Sequence, residues 1–258
     1  MRITTWNVNG LRAALRKGFA HHLDAIAPDV LLLQEIRVRP EQLPDDWAAP
    51  AGWHVTWHPA EKPGYAGTAV WTRAPHKVLG RGLNDDIPDT EGRVLRVQVG
   101  NIRAASVYLP SGSSSEIRQQ AKEAWMNRFA PFAEGLCRAR TATFIGGDLN
   151  IAHTERDLFY AKSNQKQSGF LPHERSWMGD LLNTGWRDLV REHAGEIDGP
   201  YSWWSNRGQA RAKDRGWRID YLLANAAAGK RFVSATTHRE AGLACSDHAP
   251  VSVDLSDA

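Results

Sequence analysis

The chain has 258 residues, 42% apolar and 24% charged, with a formal net charge of +3. This is ordinary folded-domain usage, and it excludes a disordered tail, a collagen-like rod and a disulfide-stapled miniprotein. No apolar run approaches the ~18 residues of a bilayer span, so no transmembrane helix or membrane partner is expected.

The first predicted element is a strand. Ile3, Thr5 and Asn7 alternate with Thr4, Trp6 and Val8, and Gly10 breaks the run. Leu11, Ala14, Leu15, Phe19, Leu23 and Ile26 then recur near helical spacing. That predicts one amphipathic helix with a weak point at Gly18 and an end at Pro28-Asp29. Val30 to Gln34 is a continuous apolar run suited to a buried central strand. From Arg37 to Gly92 the chain is rich in turns, with short strands expected at Trp53 to Trp57 and Thr68 to Thr72. Val94 to Val99 and Ile102 to Tyr108, separated by Gly100-Asn101, predict a hairpin.

Glu116 to Leu136 reads as a helix with Trp125, Phe129, Phe132 and Leu136 on one stripe and a kink at Pro131. Thr141 to Ile145 predicts another buried strand, closed by Gly146-Gly147. A helix over His173 to Leu182 follows. Strands at Ser202 to Trp204, Arg218 to Ala224, Phe232 to Thr236 and Ala249 to Leu255 complete the pattern. No repeat, low-complexity tract or linker interrupts it, so 1–258 reads as a single domain. Strands and helices alternate throughout, which gives an α/β class. Two facing sheets flanked by helices would bury both.

Polar residues cluster at strand ends, where a rigid scaffold meets a loop. Asn7 and Asn9 follow the first strand, and Gln34-Glu35 follow the second. Tyr108 ends the hairpin. Gly146-Gly147-Asp148-Leu149-Asn150 closes the Thr141 strand, and Ser246-Asp247-His248 precedes the last one. Asp220 lies inside the Arg218–Ala224 strand and needs a partner, which His248 could supply. Such a pair raises the histidine pKa and fixes its tautomer. Glu35 and Asp247 are hard oxygen ligands suited to magnesium. Each feature alone has a structural reading as a turn, cap or ion pair. Their joint placement at strand ends points to a site.

Between Ser202 and Arg218 stand five basic residues (Arg207, Arg211, Lys213, Arg215 and Arg218) against one acid, Asp214. Trp203, Trp204 and Trp217 thread this stretch. It could face a polyanion, although composition alone favours a solvated surface loop. Cys137 and Cys245 allow one disulfide at most. With no charged-then-apolar leader at Met1 to Trp6, the expectation is free thiols and a cytoplasmic location.

The chain resembles the exonuclease III family of abasic-site endonucleases, within the endonuclease/exonuclease/phosphatase superfamily. The likeness runs from Thr5-Trp6-Asn7-Val8-Asn9-Gly10-Leu11-Arg12-Ala13 to Ser246-Asp247-His248-Ala249-Pro250. Between lie Leu33-Gln34-Glu35, Tyr108-Leu109-Pro110, Gly147-Asp148-Leu149-Asn150, Ser168-Gly169-Phe170 with Glu174-Arg175, and Gly216-Trp217-Arg218-Ile219-Asp220-Tyr221. The opening motif and the last of these are the more specific to the DNA-repair branch.

The resemblance implies a four-layered α/β sandwich, a monomer, and a site where the strand ends converge. It implies Mg2+, with Mn2+ as a substitute, and double-stranded DNA containing abasic sites or 3′-blocked ends. The reaction would be hydrolysis 5′ to an abasic site, with 3′-to-5′ exonuclease and 3′-end cleaning beside it. By this likeness Glu35 holds the metal, with Asn9 and Asp247 as further ligands. Asp148 acts as general base, Asn150 positions the water or phosphate, and Asn7 fixes Asp148. His248, supported by Asp220, and Tyr108 donate to the phosphate as charge builds.

Trp203, Trp217 and Ile219 would wall a slot for a base-less sugar. Asn164 and Gln167 match a loop that contacts the abasic region. Arg12, Lys62, Arg118, Lys166, Arg207 and Arg211 are expected on phosphates. His153 and Asp157 read as structural, and both cysteines as packing residues. The competing expectations are a superfamily phosphatase for inositol or lipid phosphates and a DNA-binding protein without catalysis.

Overall fold

The computed structural model describes residues 1–256. Among these residues twelve strands form two six-stranded sheets. In chain order the strands are β1 (Arg2–Asn7), β2 (Val30–Gln34), β3 (His54–His58), β4 (Thr68–Thr72), β5 (His76–Arg81), β6 (Val94–Val99), β7 (Ile102–Tyr108), β8 (Ala142–Asp148), β9 (Arg187–Asp188), β10 (Asp220–Ala224), β11 (Phe232–Thr237) and β12 (Val251–Leu255). The helices are α1 (Leu11–Arg16), α2 (Phe19–Ile26), α3 (Asp45–Ala48), α4 (Glu116–Cys137), α5 (Pro172–Asn183), α6 (Leu189–Ala194), α7 (Ala226–Gly229) and α8 (Arg239–Cys245). No helix of the described residues is long and apolar enough to cross a membrane.

The first sheet runs β11-β12-β1-β2-β4-β3 and the second β5-β6-β7-β8-β10-β9. Each has one parallel pair at its middle, β1 with β2 and β7 with β8, flanked by antiparallel neighbours. The period-2 alternation of strands sorts the side chains into layers. Ile3, Val30, Leu32 and Val70 face Leu95, Val97, Phe144 and Leu222 between the sheets. The opposite residues, Trp6, Leu31, Leu33 and Trp71, pack under α1, α2 and α8 through Phe19, Leu23 and Ala241. Val107, Ile145, Tyr221 and Leu223 pack under α4 and α5 through Trp125, Phe129, Met178 and Leu181. Helix, sheet, sheet and helix make the expected four-layered α/β sandwich. β2 is buried at every position because both its faces are covered.

Three local expectations are corrected. The helix expected from Leu11 to Ile26 is two helices, because Gly18 takes a left-handed φ of 94° and caps the second. Gly146 and Gly147 do not close β8 but lie inside it, paired with Ser106 and Val107. A Cβ on Gly147 would sit 1.8 Å from the Val107 carbonyl, and one on Gly146 would strike Leu32 and Leu222 from the interior. The glycines there permit close approach rather than a turn. The helix expected over Glu116 to Leu136 is found as α4, with Pro131 inside it. Ser202 to Trp204 is not a strand. Trp203 makes only isolated bridges, to Trp217 and His248, because the Ser202 hydroxyl turns to the neighbouring backbone.

Candidate active site

Strand direction brings the predicted residues together. In the parallel pairs Asn7 stands opposite Gln34 and Tyr108 opposite Asp148. β10 and β12 run antiparallel to their neighbours, so their beginnings reach the same edge. Asp220 stands opposite Asp148, and Val251 opposite Thr5 with His248 three residues before it. Asp220 therefore opens β10 rather than lying inside a strand, and it joins the other strand ends. Several contacts cross from sheet to sheet at this edge, among them three hydrogen bonds between predicted site residues. Asn7 Nδ2 donates to Asp148 Oδ2 at 3.0 Å, His248 Nδ1 bonds Asp220 Oδ2 at 2.9 Å, and the Tyr108 hydroxyl donates to Glu35.

Two of the strand ends carry the same local device. The Asn7 side-chain oxygen accepts from the Asn9 backbone N–H at 3.0 Å, and Asp148 Oδ1 accepts from that of Asn150 at 2.8 Å. These are Asx turns, the local structure that Asn and Asp favour. Asn9 and Asn150 then adopt left-handed φ of 46° and 50°, and Glu35 does so at 49° after β2. Each such non-glycine residue costs on the order of 1 kcal/mol. All three line one cleft of about 600 Å³.

The charges in the cleft are arranged unevenly. Asp148 is buried and accepts from Asn7, from the Asn150 backbone, and from Asn150 Nδ2 at 3.2 Å. Burial raises its pKa, the His248 charge pulls it down and the Asp220 charge pushes it up, leaving it at about 7. For His248, burial alone would lower the pKa, but Asp220, Asp148 and Asp247 carry it up to about 10. His248 Nε2 lies 3.8 Å from Asp148 Oδ2. Burial and the charges of Glu35 and Asp148 hold the Tyr108 phenol well above its usual range, so it is a neutral donor rather than a tyrosinate. Asn150 Nδ2 is committed to Leu109 O at 2.8 Å and to Asp148. Its Nδ2 thus holds the turn, which leaves the Oδ1 of this cleft-lining residue as the atom that could meet water or phosphate.

The metal question turns on two groups of ligands. Asp148, Asp220 and His248 offer ligand atoms within 4.8 Å of one another. His248 Nδ1 is already bonded to Asp220, and a protonated imidazole has no lone pair for a cation. That trio is better occupied by a proton. Glu35, with a side chain 13% exposed, presents a carboxylate to the cleft beside Asn9 and Asp247. These are hard oxygen donors without a thiol, which fits Mg2+ or Mn2+. Glu35 also pairs with Arg37 at 2.5 Å. Asn9 Nδ2 donates to Asp247 Oδ1 at 2.8 Å, which holds the two side chains together and leaves Asn9 Oδ1 as its possible ligand atom. Asp247 Oδ2 accepts from Trp203 Nε1 at 3.1 Å. Burial works to raise the Asp247 pKa, but the His248 charge and these two hydrogen bonds outweigh it and keep Asp247 ionised.

Trp203, Trp217 and Ile219 form an apolar wall of the cleft, the two indoles edge to face with centroids 6.2 Å apart. Asn164, Gln167 and Arg207 also line it. Arg211 does not. Its guanidinium donates to Gly242 O, Leu243 O and Ser246 O, closing the C-terminal end of α8, which satisfies carbonyls a phosphate would not replace. Arg12 and Lys166 are exposed and lie outside the cleft lining. Lys62 and Arg118 gather instead around the Tyr65 ring, at 5.4 and 5.9 Å from its centroid. Asp157 is structural as expected, bonded to Arg218, Arg191 and Thr154. Cys137 and Cys245 are free thiols.

Sequence reasoning missed three supports. The Ser202 hydroxyl donates to Asp220 Oδ2 at 2.7 Å and accepts from the Ile219 and Asp220 backbones. Arg93, buried, lies 4.7 Å from the Tyr108 ring centroid. Lys122, fully buried, donates to Asn150 O at 2.9 Å and Glu174 at 2.5 Å, while Glu174 accepts from Gly169 N. A buried lysine–glutamate pair is poor value for stability alone. Here it ties the Asn150 turn to the Gln167–Gly169 wall. The Glu174-Arg175 motif was its only sequence signal.

With this geometry in hand, comparison with known proteins gives a consistent result. A family profile described as the endonuclease/exonuclease/phosphatase family matches residues 4–248. An exodeoxyribonuclease of Bacillus subtilis is 33% identical over 99% of this chain and 100% of its own length. A DNA-(apurinic or apyrimidinic site) endonuclease of Dictyostelium discoideum is 32% identical over 98% of this chain and 70% of its own. The structure of a 3′ phosphatase from Neisseria bound to product DNA hairpin is similar over 100% of both chains, with 28% identity and a TM-score of 0.89.

Proposed function

This chain belongs to the endonuclease/exonuclease/phosphatase family, and from that premise we propose that it is a DNA-repair phosphodiesterase. It hydrolyses the backbone of double-stranded DNA 5′ to an abasic site and removes nucleotides and blocking groups from 3′ ends. The observation that carries this reading is the cross-sheet cluster of Asn7, Asp148, Asp220 and His248 beneath the Trp203–Trp217 wall.

Asp148, with a pKa at about 7, is poised to take a proton from water near neutral pH. Asn7 and the Asn150 turn hold its carboxylate still. His248 keeps its proton, and its Nε2 faces the same gap, 3.8 Å from Asp148. It donates to a phosphate oxygen as negative charge builds, and Asp220 with Ser202 fixes the ring. Tyr108 orients Glu35 through its hydroxyl. Glu35 would hold a divalent cation with Asn9 and Asp247 beside it. When bound, that ion polarises the phosphate and steadies the leaving oxygen. The indoles and Ile219 accept a sugar without a base and exclude a whole nucleotide.

The test is one labelled duplex with a single abasic analogue, incubated in magnesium and in EDTA. A discrete cut on the 5′ side that EDTA abolishes supports the reading. Intact duplex under both conditions overturns it.

A further inference from the structure

We propose that a second cleft, beside the catalytic one and built around Phe159 and Tyr160, stacks an unpaired nucleotide of the bound DNA. This rests on the DNA-hydrolase reading above and adds a subsite to it. The cleft measures about 700 Å³ and is lined by Phe159, Tyr160, Arg156 and Lys162 among others. Phe159 is 46% and Tyr160 47% exposed, and among the described residues no other phenylalanine, tyrosine or tryptophan is exposed to this degree. Their rings meet edge to face with centroids 4.7 Å apart. The Arg215 guanidinium lies 5.7 and 5.4 Å from the two ring centroids.

The two clefts share a wall. Leu158 bridges Trp217, and the Phe159 N–H donates to Gly216 O at 3.1 Å. Asn164, which lines the catalytic cleft, donates to Tyr160 O at 2.8 Å. DNA seated against Trp217 and Asn164 would therefore lie next to the segment that carries the exposed rings. Three cations, Arg156, Lys162 and Arg215, and three acids, Glu155, Asp198 and Glu196, surround them, with Arg215 the cation nearest the ring faces. Gln165 bonds Glu155, and Arg156 lies 3.5 Å from Glu196. Aromatic faces with guanidinium beside them are the usual platform for single-stranded nucleic acid. A paired base keeps its faces inside the duplex, so the platform selects unpaired nucleotides.

The test uses the whole chain in EDTA and two duplexes sharing one abasic analogue. One is otherwise fully paired. The other carries a short unpaired run containing 2-aminopurine next to the analogue. The wild type should bind the second more tightly and quench its fluorescence. Replacing both rings (Phe159→Ala with Tyr160→Ala) should weaken that binding by about tenfold and remove the quenching. The fully paired duplex and the melting temperature should be unaffected, and Tyr160→Trp should keep the quenching. Equal loss on both duplexes, or no loss on either, overturns the proposal. So does a wild-type dimer in sedimentation that the double variant dissolves, since the rings would then face a second copy. Failure of the hydrolase reading is separate: the fully paired abasic duplex would stay uncut in magnesium.

Discussion

Two buried ionic clusters lie along the same short segment, and they are built to opposite rules. Asp157 and Asp188 meet Arg218, and Asp157 also meets Arg191, with separations of 2.5 to 2.8 Å. Two carboxylates face two permanent cations. Burial works to raise the Asp157 pKa, but the Arg218 and Arg191 charges overwhelm it and hold the group far below the usual range. Two residues beyond Arg218, Asp220 and Asp148 share a single histidine. There burial wins, and Asp148 rises to about 7. The sandwich tolerates both because the first cluster is balanced and the second is small. The balanced cluster locks the Arg218 segment in place, and the deficient one has a proton to exchange.

The comparison breaks most visibly at Asp148. Asp148→Asn should lower single-turnover cleavage of the abasic duplex by about 10²–10⁴-fold with binding retained. Near-normal turnover would remove Asp148 from the base role. In the wild type the cleavage rate should fall about tenfold per unit as pH drops below about 7, following ionised Asp148. Stability should follow the other cluster. A carboxylate with a depressed folded pKa contributes stability above its unfolded pKa and loses it as pH falls. Asp157 should therefore weaken the fold only below about pH 4, well after activity has gone, as denaturant titrations across pH would record.

Arg218→Met is the counterpart. It strands Asp157 and Asp188 in the interior and should cost about 3–5 kcal/mol in denaturant unfolding. The protein that stays folded in the cold should still cut. If activity and stability fall together in both variants, the two clusters form one unit. Glu35→Gln should come next in size. It should weaken divalent-metal binding by about 10- to 100-fold in calorimetry, with excess metal partly restoring cleavage.

How much of this was legible in the sequence follows the same division. The central strands carry their own signal, as in Val30–Gln34 and the Val94–Tyr108 hairpin, because a strand buried on both faces is apolar throughout. The carboxylates and histidine that gather in the cleft were also legible as a group, since Asx turns and strand-end acids follow from residue type at short range. β5 and α8 were missed because their apolar spacing is weak. The meeting of the six strand ends was legible only through the family resemblance, because it depends on sheet order and strand direction, which no local pattern encodes. Arg211 shows the limit from the other side. Its charge suggested DNA, but three carbonyls at the end of α8 claim it. Ser202 carried no signal, and Lys122 only that of its partner motif Glu174-Arg175, since a lone serine or a helix lysine says nothing of what lies far along the chain.

The smallest effect separates tryptophans rather than charges. Trp204 is fully buried and donates to Asp214 at 2.8 Å, whereas Trp217, one wall of the cleft, is only partly buried. Trp204→Ala removes core volume and should cost about 3–5 kcal/mol of stability with no change in substrate preference. Trp217→Ala leaves most of the core intact and opens the slot to a nucleotide that still carries its base. Its preference for abasic over undamaged duplex should narrow by about tenfold, the equivalent of ~1.4 kcal/mol. Competition between the two duplexes under single-turnover conditions measures this ratio. A fall in melting temperature as large as that of Trp204→Ala, with the ratio unchanged, would place Trp217 with the core and leave Trp203 and Ile219 to define the slot.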